Sequence, residues 1–349
     1  MRHSGAEACV ASFYRGLPLE DGELFTQAVI REGLAPFFYH RLKSSSPNLI
    51  SSDLLDGLRR SFITSVAVHL NLEDTLLQIL DHFERQKISC LVLKGMALAY
   101  LVYPDPATRT MGDIDFLIRP QEIRRAAETL ASLGYHPLSQ YQAYEEELIR
   151  FGGELAFVKP VGPMVELHWE LEQYERLKGL IRIDEEALWQ RAISYSVNGI
   201  QARTPSPEDQ LLTLSIHLGM VHRMKGLKWL LDIDRLIRTL GPQIDWPLLM
   251  KRAKTWGIHR LLCHVLWMSK ETFGTPLPPE VSIQSVWGSR TPFTQFVFLD
   301  RWQDRVRVLM RSFFPSSDWL RFRYRLKREE PVFPYRLLHP VRLLLGKFS

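Results

Sequence analysis

The chain has 349 residues, 46% of them hydrophobic and 24% charged, which is typical of a globular protein with room for about two or three domains. No apolar run reaches the roughly 18 residues of a transmembrane helix, and the first ten residues lack the apolar stretch of a signal peptide. The cysteines Cys9, Cys90 and Cys263 form no CxxC pair, so neither a disulfide framework nor a zinc site is indicated. We therefore expect a cytoplasmic protein.

The net charge of +5 is unevenly distributed along the chain. Residues 301–349 contain twelve Lys or Arg and four Asp or Glu, a balance of +8, so the remaining 300 residues sum to −3. A basic segment of this kind either is a solvated face or binds an anionic membrane surface, RNA or an acidic partner.

The first part of the chain, residues 1–86, is predicted to be an N-terminal helical region. Apolar residues recur at helical spacing between Asp53 and Gln86. Asp53 is a candidate cap for that long helix.

A region with strand patterns follows, at residues 87–180. Ile88–Leu93 is a continuous apolar run typical of a buried strand, and Gly95 separates it from a helix that begins at Met96. Further strands are predicted at 113–118, around Tyr135, at 155–159 and at 164–169, with a helix from Pro120 and a hairpin joining the last two strands.

The pattern is helical again from Asp184, which predicts a helical domain over 181–275. Helices are expected from Pro207 to about Arg223 and at 227–240, 246–256 and 259–273. Residues 276–349 are predicted to form a linker and a basic C-terminal region, with one helix over 293–314.

Two histidines on the first of these helices, His217 and His222, are candidate ligands. Their spacing of five residues places them about 140° apart on an α-helix. We therefore expect no shared site for them.

The strongest chemical signal is the pair Asp113 and Asp115. Residues two apart on a strand project from the same face, and carboxylates that close repel each other unless a cation lies between them. Mg²⁺ prefers oxygen ligands of this kind beside substrate phosphates. Glu166 is a third candidate ligand from another strand. His168 shares the Glu166 face, where it can orient the substrate or a metal ligand, or make a structural hydrogen bond.

The order of strand, glycine turn, helix, Asp-x-Asp strand, helix and carboxylate-bearing strand resembles the nucleotidyltransferase fold of DNA polymerase beta, CCA-adding enzymes and aminoglycoside nucleotidyltransferases. The segments LVLKGMAL at 91–98, GDIDFLI at 112–118, ELHW at 166–169 and LKWLLDI at 227–233 are similar, more narrowly, to the uncharacterised bacterial nucleotidyltransferase family of that superfamily.

The resemblance implies an α+β fold in which a small mixed-sheet nucleotidyltransferase core is flanked by N- and C-terminal helical regions. It also implies an enzyme that transfers a nucleoside monophosphate from an NTP to an unknown acceptor and releases pyrophosphate. Asp113, Asp115 and Glu166 would be the catalytic ligands of Mg²⁺, or of Mn²⁺. The acceptor can be a small molecule, a peptide, a protein or RNA.

Nucleotide binding is expected on both sides of the aspartate pair. Gly95 offers backbone N–H groups at a helix N-terminus, and Lys94 and Arg109 can neutralise phosphate charge. The other candidates are Gly112, beside the aspartates, and Lys228 and Asp232, from the helical domain.

Two residues depart from the superfamily pattern. Met96 stands where a small polar residue commonly contacts phosphate, and Glu166 stands where Asp is commoner. These departures leave a second hypothesis open, a catalytically inactive nucleotide-binding module of the same fold. The basic C-terminal region leaves open a third, a membrane-surface or scaffold protein.

Overall fold

The structure is a computed structural model that describes residues 5–16, 21–43, 51–138, 153–171, 175–281, 283, 285–286, 294–327 and 329–344. Its helices are α1 (Gly5–Tyr14), α2 (Gly22–Arg31), α3 (Ala35–Leu42), α4 (Ser52–Arg85), α5 (Lys94–Val102), α6 (Ile123–Ser132), α7 (Glu185–Gln190), α8 (Pro207–Ile216), α9 (Leu227–Leu240), α10 (Trp246–Trp256), α11 (His259–Phe273), α12 (Thr294–Val297), α13 (Trp302–Phe313), α14 (Ser317–Tyr324) and α15 (Phe333–Leu344). Its strands are β1 (Cys90–Val92), β2 (Asp113–Ile118), β3 (His136–Pro137), β4 (Glu154–Val158), β5 (Met164–His168), β6 (Ile193–Val197) and β7 (Ile200–Thr204). The predicted α+β class is confirmed.

Strands β1 to β5 form one sheet in the order β1-β2-β5-β4-β3. The β2–β5 pair is parallel and the other pairs are antiparallel, so the predicted mixed sheet and the hairpin of β4 and β5 are confirmed. The parallel register pairs Asp115 with Glu166, and the hairpin register pairs Glu154 with His168. Because side chains alternate along a strand, these four residues and Asp113 share one face of the sheet.

The opposite face of the sheet is apolar and carries the core. It consists of Ile114, Phe116, Val165, Leu167 and Leu155, all of them buried. They pack against apolar side chains of α4 and α6. Each large apolar side chain buried in this way stabilises the fold by about 1.5–3 kcal/mol. The apolar face of the sheet is therefore the one that packs against the helices, and the face with the carboxylates is left toward the cleft.

The described residues before Lys87 form α1 to α4, and the cap of the long helix α4 differs from the prediction. Ser51, rather than Asp53, is the cap of α4, and its hydroxyl accepts a hydrogen bond from the Leu54 N–H. Asp53 lies in the first turn instead, where its negative charge interacts favourably with the positive end of the helix dipole.

The expectation of helix throughout the region after Asp184 is wrong at 193–204, where β6 and β7 form a hairpin. Asn198 and Gly199 both have positive φ, as the tight turn of a hairpin requires. Tyr195 and Val197 are buried in the same core as the sheet. Packing against the sheet therefore favours strands here.

The helices predicted at 227–240, 246–256 and 259–273 are confirmed as α9, α10 and α11. The prediction of a single helix over 293–314 is wrong, because a non-helical segment, residues 298–301, separates α12 from α13. Both carboxylate oxygens of Asp300, in that segment, accept hydrogen bonds from the N–H groups of His259 and Arg260 at the start of α11. Residues 282, 284 and 287–292 of the predicted linker, and residue 293 at the start of the predicted helix, lie outside the described residues.

Among the described residues, none of the helices combines the length and the apolar character needed to cross a membrane.

Candidate active site

The polar face of the sheet is organised around His168, which is buried on β5. Its Nε2 lies 2.8 Å from Asp115 Oδ1 and 3.4 Å from Glu166 Oε2, and its Nδ1 lies 3.1 Å from Glu154 Oε2. Burial and the charge of Lys94 oppose protonation, but the hydrogen bonds to the three carboxylates raise the pKa of His168 to about 10. The imidazole is therefore a cation held between acids.

Lys94 is the second cation of this cluster. Its Nζ lies 3.1 Å from Asp115 Oδ1. Burial disfavours ionisation of Asp115, but Lys94 and His168 outweigh it and hold the pKa of Asp115 well below its usual range. Asp115 is therefore the carboxylate that these two cations neutralise.

Asp113 and Glu166 are less well compensated than Asp115. Burial, followed by the charge of Asp115, raises the pKa of Asp113. Burial also raises the pKa of Glu166, and the charges of Asp115 and Glu154 add to the effect while the His168 hydrogen bond opposes it. A further cation at this face would stabilise both ionised carboxylates.

Two of the carboxylates converge with His168, although an imidazole protonated on both nitrogens offers no lone pair to a metal ion. One oxygen of Asp115, one oxygen of Glu166 and one ring nitrogen of His168 lie within 4.8 Å of one another. The structure thus brings together two of the three predicted ligands, Asp115 and Glu166. The third, Asp113, lies on the same strand as Asp115 and lines the cleft above this face of the sheet.

The cleft above this face has a volume of about 360 Å³. Its lining combines the acids of the sheet with basic and aromatic groups from the helices: Lys94, Gly95, Arg109, Met111, Gly112, Asp113, Asp115, Glu154, Glu166, His217, Val221, His222, Lys228 and Trp229. Of the predicted site residues, Asp232 and His168 are absent from this lining.

The N-terminus of α5 faces the cleft at Lys94 and Gly95. The residue before it, Leu93, makes no side-chain cap, so the first N–H groups of the helix are available to an anion. A Cβ on Gly95 would lie 3.0 Å from Arg109 Nη1, so a larger residue here would press on the guanidinium that Asp232 holds. The Met96 side chain is fully buried in the apolar core and cannot contact phosphate.

Arg109 and Asp232 form a buried ion pair. Arg109 Nε donates to Asp232 Oδ1 at 2.9 Å and Nη2 donates to Oδ2 at 2.8 Å. The Tyr103 hydroxyl also donates to Asp232 Oδ1, at 2.7 Å. Asp232 thus orients Arg109, which lines the cleft.

The histidines His217 and His222, which were expected to lie apart, contact each other. Residues His217–Val221 form a π-helical turn in which the His222 N–H donates to the His217 carbonyl, five residues earlier. The two Nε2 atoms lie 2.9 Å apart. The His222 ring stacks on Trp229, with ring centroids 4.4 Å apart. The expected separation of about 140° was wrong because it assumed regular α-helical geometry.

Glu154 was missed by the sequence analysis. It is 14 residues from His168, and the hairpin register brings the two together. The predicted hairpin contained the necessary signal, because extending its pairing by one residue places Glu154 opposite His168.

His168→Gln is expected to lose less stability than wild type as the pH of the metal-free protein rises from about 6.5 to about 10. The pKa of His168 is raised in the folded protein from 6.5 to about 10. Its stabilising contribution is therefore complete below pH 6.5 and disappears as the pH approaches 10. Urea unfolding of both proteins in EDTA across this range measures the difference, and a constant difference would contradict the assignment.

A mixed sheet with carboxylates on adjacent parallel strands, beside an uncapped helix N-terminus, is the arrangement of a nucleotidyltransferase. Residues 18–274 match the family described as uncharacterised nucleotidyltransferase, and the chain belongs to that family. The predicted family and the prediction of a nucleotidyltransferase enzyme are thereby confirmed.

Three solved structures are similar to about half of the chain. The chain is similar to the lincosamide antibiotic adenylyltransferase LnuA with lincomycin bound, at 17% identity and a TM-score of 0.33 over 46% of this chain and 93% of that one. It is similar to the antibiotic-resistance factor ANT(2'')-Ia in solution, at 17% identity and a TM-score of 0.37 over 53% and 90% of the two chains. The crystal structure of ANT(2'')-Ia with adenylyl-2''-tobramycin gives 14% identity and a TM-score of 0.38 over 53% and 98%. No curated protein matches the chain.

Proposed function

We propose that the protein is a Mg²⁺-dependent nucleotidyltransferase that moves a nucleoside monophosphate from an NTP to an acceptor and releases pyrophosphate. The observation that carries the proposal is the shared cleft, into which Asp113, Asp115 and Glu166 open together with Lys94 and Arg109. Negative metal ligands and positive phosphate ligands in one cleft suit a metal-bound triphosphate.

The donor set fits a hard divalent cation. Carboxylate oxygens of Asp113, Asp115 and Glu166 would hold it. Burial and the charge of Asp115 raise the pKa of both Asp113 and Glu166, so a cation there is favourable. When bound, Mg²⁺ supplies Lewis-acid stabilisation of the charge on the transferred phosphoryl group. His168, hydrogen-bonded to Asp115 and facing Glu166, orients these ligands.

The phosphates would lie at the N-terminus of α5. Backbone N–H groups at Gly95 bind phosphate oxygens there, with the helix dipole favouring the negative charge. Lys94, Arg109 and Lys228 add positive charge around the cleft, and Gly112 allows close approach beside the aspartates. Asp232 acts as a positioning residue, since it holds the Arg109 guanidinium through two hydrogen bonds.

His217 and His222 would contact the acceptor from the wall of the cleft that the helices form. Burial lowers the pKa of His217 well below its ordinary value and lowers that of His222 to about 4. The pair is therefore uncharged at neutral pH and can accept a hydrogen bond from an acceptor hydroxyl.

The proposal is tested by incubating the protein with each of the four NTPs, labelled at the α-phosphate, and with Mg²⁺ or Mn²⁺. Fractionated small-molecule, peptide and RNA pools serve as acceptors, and pyrophosphate release is measured in parallel. We expect metal-dependent labelling of one pool with equal release of pyrophosphate. Metal-dependent NTP binding without release in any pool supports the inactive nucleotide-binding module instead, and an absence of NTP binding contradicts both.

A further inference from the structure

Helix α13, which lies in the basic region, exposes a row of large apolar side chains. Trp302 and Phe314 are 67% and 64% exposed, and Val306 and Met310 between them are also exposed. Residues four apart lie along one side of a helix, so Trp302, Val306 and Met310 form a stripe, and Phe314 follows directly after the end of α13. Val308, on the inner side, is buried and attaches the helix to the protein.

Helix α15 exposes a second stripe. Phe333 and Leu337 are 70% and 63% exposed, and Val341 continues the row. The opposite side of the helix carries His339, which is buried and lies 2.9 Å from the Ser312 carbonyl oxygen through its Nε2. This contact holds α15 on α13, so its apolar stripe points away from the contact.

The region that carries both stripes is also strongly basic. Its charge balance is +8 over residues 301–349. Many of these cations are exposed beside or between the helices: Arg301, Arg307, Arg323, Arg325, Lys327, Arg336 and Arg342. Apolar stripes among exposed cations indicate a surface that binds something both apolar and anionic.

We propose that the stripes of α13 and α15 dock the protein on the surface of an anionic lipid bilayer. Amphipathic helices with aromatic and aliphatic residues on one side and Arg or Lys around them lie in the interface of such a bilayer. Anionic headgroups attract the cations, and the acyl region accepts the apolar side chains. The site does not depend on nucleotidyl transfer.

Other occupants fit the charges and side chains less well. A second copy would bring two regions of +8 together, and like charges oppose that contact. RNA would be attracted by the cations but would leave the aliphatic stripe side chains without a partner, because its binding sites use charge and aromatic stacking.

Sedimentation with phospholipid vesicles tests the proposal. We expect the full chain to bind phosphatidylcholine vesicles that contain phosphatidylserine and to bind pure phosphatidylcholine weakly, with loss of binding at ~1 M salt. The triple variant Trp302→Ala, Met310→Ser, Leu337→Ser should lower the affinity at least about tenfold. Arg323→Gln with Lys327→Gln should weaken binding to anionic vesicles only.

The matched control is Ile63→Ser with Leu70→Ser, because these α4 side chains are exposed to a similar degree but lie outside the C-terminal region. This variant should bind like wild type. Circular dichroism establishes that each variant is folded. The proposal would be overturned if the triple variant bound vesicles as well as wild type, or if wild type bound both vesicle types equally. It would also be overturned if the triple variant lost self-association or RNA binding but kept its binding to vesicles.

Discussion

Asp113→Asn is expected to lower nucleotidyl transfer by roughly a thousandfold while the protein stays as stable as wild type or becomes slightly more stable. Within the described part of the chain, Asp113 makes no side-chain hydrogen bond or ion pair. Burial and Asp115 raise its pKa, so the charge of Asp113 opposes folding when no cation is bound. Loss of activity without loss of stability would assign the carboxylate to function.

The measurement is single-turnover transfer at saturating NTP, with thermal unfolding recorded with and without Mg²⁺ and NTP. Wild type should gain stability from the metal and the nucleotide together, and Asp113→Asn should gain much less. Asp81→Asn is the matched control, since Asp81 is a partly exposed α4 carboxylate paired with Arg85. Full turnover by Asp113→Asn would contradict the proposed mechanism.

Asp115→Asn is a less specific test of the same site. Asp115 Oδ1 is the partner of both Lys94 and His168, so its removal leaves two buried cations less compensated. We therefore expect loss of both activity and stability, and only the comparison with Asp113→Asn separates the two causes.

The polar face of the sheet could be predicted because it depends on local patterns. The alternation along 113–118 and 164–169 fixes which side chains face the core, and it correctly brings Asp115 and Glu166 to one face. The helices at 227–240 and 259–273 follow from apolar periodicity and from the glycines that end or separate them. Each of these signals lies within a short, continuous stretch of sequence.

The remaining features of the site depend on register, irregular backbone or distant pairing. Glu154 reaches His168 only through strand register, and His217 meets His222 only because the helix widens into a π turn. Asp232 is 123 residues from Arg109, and sequence alone suggested a nucleotide ligand where the structure has an ion pair. These contacts are set by tertiary packing, which no local pattern encodes.

The Arg109–Asp232 pair leads to the largest expected effect on stability. Asp232→Asn should lower the free energy of unfolding by about 3–5 kcal/mol, because it leaves a buried guanidinium without its counter-charge. Asp232 is 0% exposed and Arg109 is 3% exposed, so water cannot solvate the charge that remains. Urea unfolding monitored by tryptophan fluorescence measures the loss.

Tyr103→Phe is the matched control for this pair, because it removes one hydrogen bond to Asp232 Oδ1 and leaves the ion pair in place. It should cost only about 1 kcal/mol. The double variant Arg109→Met, Asp232→Leu should recover much of the stability lost in Asp232→Asn, since it removes both buried charges. It should not recover transfer, because Arg109 lines the cleft. If Asp232→Asn unfolds at the same urea concentration as wild type, the charge of Asp232 does not stabilise the fold.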